Sequence, residues 1–419
     1  MRVLFVSNLF PPHANGGYEQ LCQEVSIELA HRGHDVDVLT SALQALPSEE
    51  EGQIRVHRCL HPEVEGGNIH SIKRLLFDRT HLEAENLRHV ERLVTQCRPD
   101  IAMIWGMWNI PRSVPALVEQ LLGDRVAYYF CDYWPSLPSS YQLQWQHESR
   151  RYATRMIKRL VGKPFLYKLR GEPAIHLEFR HPICVSRAVR EQLVQEGVPI
   201  QHAKVVYLGT QADEFARAGR QHMHRERQEG VLRLLYAGRL TATKGVHTAI
   251  TAIGKIHSES SASVTLDILG KGEPDYERKL KEMVHHLHLE DHVHFLDKVP
   301  HAKMPELIAG FDALVFPSEW EEPFARTVLE AMATGIPVIG TTTGGTPEVL
   351  IDGITGLSYP AGDAEALANQ IQRLCNDETF RRQLAQAAQE SVRQNFTLQQ
   401  TVEQLESILQ GIACSKRPN

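Results

Sequence analysis

Short apolar runs that alternate with helical stretches restrict the fold of this chain more than any other feature. The run RVLFVS (2–7) is followed by a Pro/Gly loop, by Leu21, Val25 and Leu29 at helical spacing, and by DVDVLT (35–40). A strand, a helix and a second strand in this order form the unit of parallel, doubly wound sheets. Further strands are predicted at DIAMIW, RVAYYF and PICVS, so the first half of the chain is predicted to be α/β.

A second series of the same kind begins near residue 231. Its strands are predicted at LRLLYAG, SVTLDILG, HVHFLD, ALVFPS and IPVIGTT. At 419 residues the chain is too long for one ordinary core. We therefore predict two Rossmann-like, doubly wound α/β domains, with the boundary near residue 210. The polar segment 205–230 is interpreted as the connection between them, and the chain after Asp363 is predicted to be helical with few breaks.

Charge and cysteine usage exclude several classes of protein. The formal net charge of -6 gives no basic field over the whole chain, so nucleic acid is excluded as the main partner. The seven cysteines are odd in number and form no CxxC pair, which is typical of a reducing compartment. The N-terminal apolar run is too short for a signal peptide, and the run at 101–110 is about half a membrane span. We expect a cytoplasmic protein without a membrane-spanning segment.

The densest group of polar residues that could bind a ligand or take part in catalysis follows the predicted strand ALVF. A glutamate-rich loop that ends at Glu322 leads to a helix predicted to begin near Phe324 or Ala325, with Glu330 in its second turn. Helical side chains lean toward the helix N-terminus, so Glu330 can reach a ligand over the helix start, where free N–H groups favour a diphosphate. Carboxylates suit vicinal hydroxyls because they accept two hydrogen bonds. The pattern indicates a nucleotide-sugar site, although glutamates taken alone are more often solvated surface charges.

Together these motifs resemble family 4 of the glycosyltransferases, which share the two-domain GT-B fold. The resemblance covers nearly the whole chain. It rests on Glu322 and Glu330 eight positions apart, on the following EAMATGIPVI and GGTPEVLIDGITGLSYPAGD, and on AGRLTATKGV and LGKG earlier in the chain. It implies two domains facing each other across a cleft. Residues 1–209 would bind the acceptor, residues 210–395 would bind the nucleotide sugar, and a helix within 396–419 would pack back on the first domain.

The resemblance also implies roles for single residues. Arg239 and Lys244 would contact the donor diphosphate and neutralise it, a task that other transferases give to a metal ion. Glu330 would anchor the ribose and Glu322 the donor sugar. The other donor contacts that it implies are Gly238 and Gly270 at strand ends, Phe324, Ala325, Arg326 and Thr327 at the helix start, Lys298 and Val299 near the base, and Gly16 and Gly17. The last two lie at the start of the first helix, where a ligand can approach the backbone or the chain simply turns.

The segment after RVAYYF departs from the family pattern. Many relatives carry a His-Asp pair where this chain has Cys131 and Asp132, and a thiol cannot replace an imidazole as a hydrogen-bonding base. Asp132 can orient the acceptor or stabilise positive charge on the donor sugar, and it is our candidate catalytic residue here beside Arg239, Lys244 and Glu322. It can also cap the loop before Tyr133 and Trp134. The identity of any catalytic base stays open.

Two sequence patterns resemble metal-binding motifs, but we interpret neither as a metal site. Asp35-Val36-Asp37 matches the DxD motif of metal-dependent transferases but lies in an early strand, where it is interpreted as accidental. The stretch HHLHLEDHVH (285–294) crosses a helix end, a turn and a strand start, so its imidazoles are expected to diverge. We predict no metal and no cofactor apart from the donor substrate.

The segment 150–170 is rich in Lys and Arg, contains no acid and carries interleaved apolar residues. A basic amphipathic helix of this kind can lie on an anionic membrane, which would place the protein at the inner face of the membrane and would suit a lipid-linked acceptor. The same cations could instead cover neighbouring elements or attract an anionic acceptor.

By resemblance, the expected reaction moves a hexosyl group from a nucleoside-diphosphate sugar to a hydroxyl of a glycan, a lipid-linked or a small-molecule acceptor, with retention and without a metal. A sugar-nucleotide epimerase on the same fold is one alternative, and it would need further acid/base carboxylates in the first domain. A non-catalytic sugar-nucleotide-binding protein is the other. It would be expected to lose the donor cations or glutamates, whereas this chain keeps Arg239, Lys244, Glu322 and Glu330.

Overall fold

The structure of the protein is a computed structural model that describes residues 1–13, 16–42, 49–51, 54–64, 78–146, 175–222, 231–259 and 263–414. The chain divides into two compact units. The first unit comprises Met1–Val185, Val189–Val206 and Val402–Asn419. The second unit comprises Ser186–Ala188 and Tyr207–Thr401.

The first unit is built on an eight-stranded sheet in the order β3-β4-β2-β1-β5-β6-β7-β8. Its strands are β1 (Arg2–Val6), β2 (Asp35–Ser41), β3 (Glu49–Glu51), β4 (Ile54–Leu60), β5 (Ile101–Ile104), β6 (Val126–Phe130), β7 (His181–Cys184) and β8 (Lys204–Val205). All neighbours pair in parallel except β3 and β4, which are antiparallel. The helices that begin in this part of the chain are α1 (Gly17–His31), α2 (Arg79–Cys97), α3 (Ser113–Leu122), α4 (Ser140–Gln146) and α5 (Arg187–Gln195).

The second unit is built on a parallel six-stranded sheet in the order β11-β10-β9-β12-β13-β14. Its strands are β9 (Val231–Ala237), β10 (Ser263–Leu269), β11 (Val293–Leu296), β12 (Ala313–Phe316), β13 (Val338–Thr341) and β14 (Leu357–Tyr359). The remaining α-helices among the described residues are α6 (Ala212–His222), α7 (Val246–Glu259), α8 (Pro274–His286), α9 (Met304–Ala309), α10 (Arg326–Thr334), α11 (Ala364–Asn376), α12 (Glu378–Asn395) and α13 (Leu398–Cys414).

Both sheets confirm the predicted Rossmann-like, doubly wound α/β fold. From β1 the chain winds outward through β2 and β4 and then returns to the other side of β1 with β5, and β9 has the same position in the second sheet. The central strands are continuous apolar runs because both faces of each sheet are covered by helices. All four residues of β5 and all four of β12 are buried.

The segment predicted to connect the domains contains the change from the first unit to the second, at Val206 and Tyr207, and also a helix that was not predicted. The polar segment after Val205, interpreted above as a connection, contains the helix α6, whose Phe215 and Ala218 are buried. Gly219 of this helix lies so close to α10 that a Cβ atom there would come within 1.9 Å of the Thr334 carbonyl oxygen. The helix was not predicted from the sequence because most of its residues are polar or charged and its apolar stripe is narrow.

The C-terminal stretch, predicted as helical with few breaks, forms the three helices α11, α12 and α13. Asp363 and Asp377 accept hydrogen bonds from backbone N–H groups of the first turns of α11 and α12, as N-cap residues do. In α13, Glu406 accepts a hydrogen bond from Arg32 at 2.8 Å and lies 2.7 Å from His34, and all three residues belong to the first unit.

Candidate functional site

The residues singled out in the second half of the chain meet where the winding of the second sheet reverses. The loop after β9 carries Gly238, Arg239 and Lys244, and the loop after β12 leads to Glu322. β9 and β12 are neighbours and pair in parallel, so both loops leave the same edge of the sheet. Crevices outside the carboxyl ends of strands at such a reversal are the usual ligand sites of open α/β sheets.

Lys244 and Glu322 are in direct contact. The Lys244 ammonium group donates a hydrogen bond to Oε1 of Glu322, and the Ser318 hydroxyl donates to the same oxygen at 2.8 Å. The side chains of Lys244 and Glu322 are only 14% and 8% exposed. The Lys244 Nζ atom also lies 5.3 Å from the centroid of the Trp320 ring, which is 37% exposed. The sequence predicts separate roles for this lysine and this glutamate, and the structure adds that they form a largely buried ion pair.

The other two glutamates of the loop after β12 bind neighbouring segments. Glu319 accepts a hydrogen bond from the Thr248 hydroxyl at 2.8 Å and lies 3.3 Å from a ring nitrogen of His247. Glu321 accepts a hydrogen bond from the backbone N–H of Gly344 at 2.6 Å. These contacts hold Glu319 and Glu321 to neighbouring segments and so fix the loop. Glu322 is the glutamate of this loop that contacts Lys244.

Two glycines allow the loops around the pair to approach each other closely. Gly344 has a φ of 54°, and a Cβ atom there would lie 2.2 Å from the carbonyl oxygen of Glu322. Gly270, at the end of β10, has a φ of 150°, and a Cβ atom there would lie 1.9 Å from the carbonyl oxygen of Gly238. Larger residues would displace these loops because both positions combine a positive φ with backbone contact. Gly270 therefore shapes the loop that carries Gly238 and Arg239.

Glu330 lies in the second turn of α10, where the sequence places it, and it is buried. Its Oε1 atom accepts a hydrogen bond from Nε of Arg326 at 2.9 Å and lies 3.0 Å from Nε2 of His301. Burial acts to raise the pKa of Glu330, but the hydrogen bond with His301 and the charge of Arg326 outweigh it, so the net effect is a lowered pKa. Glu330 is thus held as a carboxylate between two nitrogen donors.

The start of α10 has no side-chain cap and no acidic residue in its first turn. The helix begins at Arg326, one or two residues later than predicted, and Ala325 is its N-cap residue. The N–H groups of Arg326 and Thr327 therefore lie at a helix end whose dipole favours negative charge.

The other residues of the second unit that were predicted to contact the donor substrate differ in their exposure and in their contacts. Arg239 is exposed, and its guanidinium has no hydrogen-bond or ion-pair partner in the described part of the chain. Lys298 is exposed and Val299 is half-buried; they follow β11 and lead into His301, which contacts Glu330. Phe324 is buried, and its ring stacks 5.3 Å from Tyr207, so its side chain stabilises the core of the unit.

His301 and Ser318 are the residues of this site that the sequence reasoning missed. Each binds one of the two glutamates, and neither belongs to a motif that the sequence displays. Ser318 directly follows a predicted strand end in the FPSEWEEPF segment, and that position was the one available signal. His301 lies 29 residues before Glu330, and no periodicity links the two.

In the first unit, the predicted residues lie after β1 and β6. Gly16 is the N-cap residue of α1, and its N–H donates a hydrogen bond to the buried Glu19 at 2.9 Å; Gly17 begins the helix. Asp132 follows β6, and its Oδ1 atom accepts a hydrogen bond from the backbone N–H of Trp134 at 2.9 Å. The loop-capping role considered above is therefore present, and Cys131 beside it is buried.

Asp132 gives a pH-dependent prediction. Burial and the negative charge of Glu19 raise its pKa to about 6, even though the Trp134 hydrogen bond acts to lower it. A raised carboxyl pKa stabilises the folded state below the ordinary value near 4, and this contribution is lost as the pH rises through about 6. Asp132→Asn keeps the acceptor atom for Trp134 and should gain stability over the wild type between pH 5 and pH 8, on the order of 1 kcal/mol.

Melting temperatures of the two proteins across this range test the prediction. A constant difference between them at every pH would contradict it, because only a titrating Asp132 makes the difference grow.

The metal-binding interpretations can be compared with the geometry. Asp37 is buried and accepts two hydrogen bonds from Arg55, at 2.9 and 2.8 Å. Asp37, His57 and Cys97 lie close enough together to hold an ion, and among the described residues no other such group of three is found. Burial acts to raise the pKa of Asp37, but His57 and Arg55 lower it strongly. Arg55 thus already supplies the positive charge that this carboxylate needs.

The histidine-rich stretch diverges as expected. His285 contacts Glu290 at 2.7 Å, whereas His294 contacts Asp267 at 2.9 Å on the neighbouring strand.

The basic segment 150–170 lies outside the described residues, so its role at a membrane stays a prediction. Within the described ranges, every helix is too short or too polar to cross a bilayer.

Comparisons with known proteins agree with this geometry. Residues 15–214 match the family described as Glycosyltransferase Family 4, and residues 220–391 match Glycosyl transferases group 1. The chain belongs to family 4 of the glycosyltransferases. N-acetyl-alpha-D-glucosaminyl L-malate synthase of Bacillus anthracis is 37% identical over 175 residues, which is 42% of this chain and 44% of that protein. The match thus spans less than half the length of this relative.

Two solved structures are similar over almost the full length. Sucrose-phosphate synthase from Thermosynechococcus elongatus has a TM-score of 0.74 at 21% identity and covers 99% of this chain and 100% of its own. HepE of Anabaena, solved in complex with UDP, has a TM-score of 0.69 at 21% identity and covers 98% of this chain and 100% of its own. At this level of identity the two structures establish the shared fold.

Proposed function

We propose that the protein transfers a hexosyl group from a nucleoside-diphosphate sugar to an acceptor hydroxyl, with retention of configuration and without a metal ion. The observation that carries this proposal is the position of the Lys244–Glu322 pair, Glu330 and the uncapped start of α10 around the reversal of the second sheet. Two carboxylates, two cations and the amides at the start of α10 match a sugar, a diphosphate and a ribose in sequence. HepE, which shares the fold, was solved with UDP, so a UDP sugar is the first donor to test.

Arg239 and Lys244 would neutralise the diphosphate together with the amides of Arg326 and Thr327. The Lys244 ammonium group donates a hydrogen bond to Glu322. A diphosphate beside it would compete for the ammonium group, and Glu322 would then be available to the hydroxyls of the donor sugar. Substrate binding would in this way replace one ion pair with another and leave no buried charge without a partner.

Retention follows in this proposal from the leaving group. The bond between the anomeric carbon and the diphosphate breaks, the acceptor oxygen attacks from the same face, and the leaving phosphate oxygen takes the acceptor proton. No enzyme nucleophile is needed. Lys244 and Arg239 stabilise the negative charge that develops on the diphosphate, which is where preorganised donors lower the barrier most. The anomeric configuration of the glycoside product, read by NMR from the coupling constant of its anomeric proton, tests this step; inversion would contradict it.

A thermal-shift screen tests donor binding. We expect UDP, or one of GDP, ADP and dTDP, and the corresponding sugars to raise the melting temperature of the full chain by several degrees, about 3–6 °C at a hundredfold excess over Kd. EDTA should leave the shift unchanged because Arg239 and Lys244 supply the positive charge. A shift that disappears with EDTA and returns with Mg²⁺ or Mn²⁺ would contradict the metal-free part of the proposal.

The two alternatives make different predictions for the same donor. An epimerase would convert the nucleotide sugar without an acceptor, and a binding protein would leave it unchanged. A glycosylated product, detected by mass spectrometry when donor and acceptor are both present, would exclude both.

A further inference from the structure

One aromatic ring in the first unit is exposed in a segment whose other large side chains are buried. The segment after β5 contains Trp105, Met107 and Ile110, which are at most 3% exposed. Trp108 in the same segment is 37% exposed. The segment leaves the carboxyl end of β5 beside β1, where the winding of the first sheet reverses. The exposed ring therefore lies at the edge of the sheet where α/β units bind ligands.

The exposed position of Trp108 is fixed by the residue that follows it. Asn109 has a φ of 65°, a conformation that asparagine tolerates better than most residues. Its side chain accepts a hydrogen bond from the N–H of Val64 at 2.8 Å and donates one to the carbonyl of Val64 at 2.9 Å. The Asn109 carbonyl accepts a third, from the N–H of Glu63 at 2.8 Å. Three hydrogen bonds thus hold the backbone turn that presents Trp108.

The orientation of the ring is fixed as well. The indole N–H of Trp108 donates a hydrogen bond to the hydroxyl of Tyr18 at 3.1 Å. Tyr18 in turn packs on Gly106, where a Cβ atom would lie 2.7 Å from the tyrosine ring. An indole that is held at its polar edge and partly exposed offers its apolar face to a ligand.

Polar groups that suit hydroxyls lie on Tyr18, which contacts the ring, and on the neighbouring loops after β1 and β6. The hydroxyl of Tyr18 accepts from Trp108 and keeps its own proton to donate. Asp132 lies near enough to act on Tyr18 electrostatically, and one of its carboxylate oxygens caps the Trp134 N–H. Asn8, whose N–H binds the carbonyl of Gly106, is 1% exposed, and both polar atoms of its amide lack a partner within the described residues. A buried amide without hydrogen-bond partners destabilises the folded protein unless a ligand or a water molecule binds it.

Among the described residues, two arginines donate to backbone carbonyl oxygens of the loops after β1 and β6. Arg58 donates to the carbonyl oxygens of Phe10 and Pro11. Arg112 donates to the carbonyl oxygens of Pro135 and Leu137, both at 2.8 Å. A phosphate or carboxylate group would need a positive partner to replace its hydration. The described residues around Trp108 therefore suit a neutral ligand with one apolar face and several hydroxyls.

We infer that Trp108 stacks on a sugar ring of the acceptor, and that Tyr18, Asp132 and Asn8 bind its hydroxyls. The acceptor is then a neutral glycan or glycoside. This inference rests on the proposed function and specifies a neutral sugar as the part of the acceptor that the first unit binds. A pyranose fits the description because its axial C–H groups form an apolar face while its hydroxyls point outward in the plane of the ring.

Saturation-transfer NMR with the full-length protein tests the inference. The probes are methyl glycosides of glucose, galactose, mannose and N-acetylglucosamine, with L-malate and inorganic phosphate as anionic probes. We expect at least one glycoside to receive saturation at its ring C–H protons and to accept a hexosyl group from the active donor. Trp108→Ala should raise the KM for that glycoside about tenfold, whereas Trp108→Phe should recover part of the loss.

The control variant is Leu121→Ala, which shortens another exposed apolar side chain of the first unit, 40% exposed in α3. It should leave the KM for the glycoside unchanged, and all three variants should keep the thermal shift with UDP or the active nucleotide. Equal KM values for Trp108→Ala and the wild type, or binding of the anionic probes alone, would overturn the inference. If no nucleotide stabilises the wild type, the proposed function itself fails, so the two failures are distinguishable.

Discussion

Lys244→Met is expected to lower kcat/KM for sugar transfer about a hundredfold to a thousandfold, the usual cost of removing one preorganised donor from a developing negative charge. The same change should destabilise the second unit by about 3–5 kcal/mol, because it leaves the Glu322 carboxylate buried without its partner. Glu322→Gln should produce both effects for the reciprocal reason. Steady-state kinetics and melting temperatures of the two variants measure the losses.

The double variant Lys244→Met/Glu322→Gln separates the two effects. Neutral side chains of similar volume often replace a buried ion pair at little cost, so the double variant should recover most of the melting temperature. It should remain inactive because neither the phosphate cation nor the sugar carboxylate is restored. A double variant that regained transfer along with stability would show that the pair only holds the two loops together, and it would contradict the proposed catalytic role.

The fold was predictable because its strongest signals are local. Buried parallel strands such as β5 and β12 are uniformly apolar and are followed by helical spacing, so their existence and order could be read directly. The ends of the observed strands differ from the predicted ends by one or two residues. The strands β3, β4, β8 and β14 were not predicted: β3, β8 and β14 have at most three residues each, and β4 alternates buried and half-buried residues with two arginines among them. Both β4 and β14 depend on pairing with neighbours that are distant in sequence.

The candidate site was predictable only in part. Glu322 and Glu330 stand in a motif, so their position relative to the start of α10 followed from helix geometry. Their partners did not follow, because contacts such as that of Lys244 with Glu322 join loops 78 residues apart. The contact of His301 with Glu330 could not be predicted either, because only the folded sheet brings the loop after β11 to α10. The amide of Asn8, which has no partner among the described residues, is a property of packing and has no sequence signature.

Glu330→Gln is expected to weaken nucleotide binding about tenfold to a hundredfold, while the kcat at saturating donor changes much less. Charge-assisted hydrogen bonds contribute about 1.5–3 kcal/mol each, and the proposed ribose contact is one of them. The variant should also lose stability, because Arg326 is 7% exposed and would keep a buried charge without its carboxylate. Isothermal titration with UDP, or with the active nucleotide, measures the affinity. Glu365→Gln, at a side chain that is 75% exposed in the same unit, is the control and should bind like the wild type.

A nucleotide that lacks the ribose hydroxyls shows whether the loss arises at the ribose. The wild type should bind the 2′,3′-dideoxy form of the same nucleotide more weakly than the complete form, by about the factor that the substitution costs. Glu330→Gln should bind both forms equally, because the carboxylate that distinguishes them is gone. If the variant still discriminated as strongly as the wild type, Glu330 would not contact the ribose. Its contacts with Arg326 and His301 would then only stabilise α10, and the ribose anchor would have to be another residue of the loops after β9 and β11.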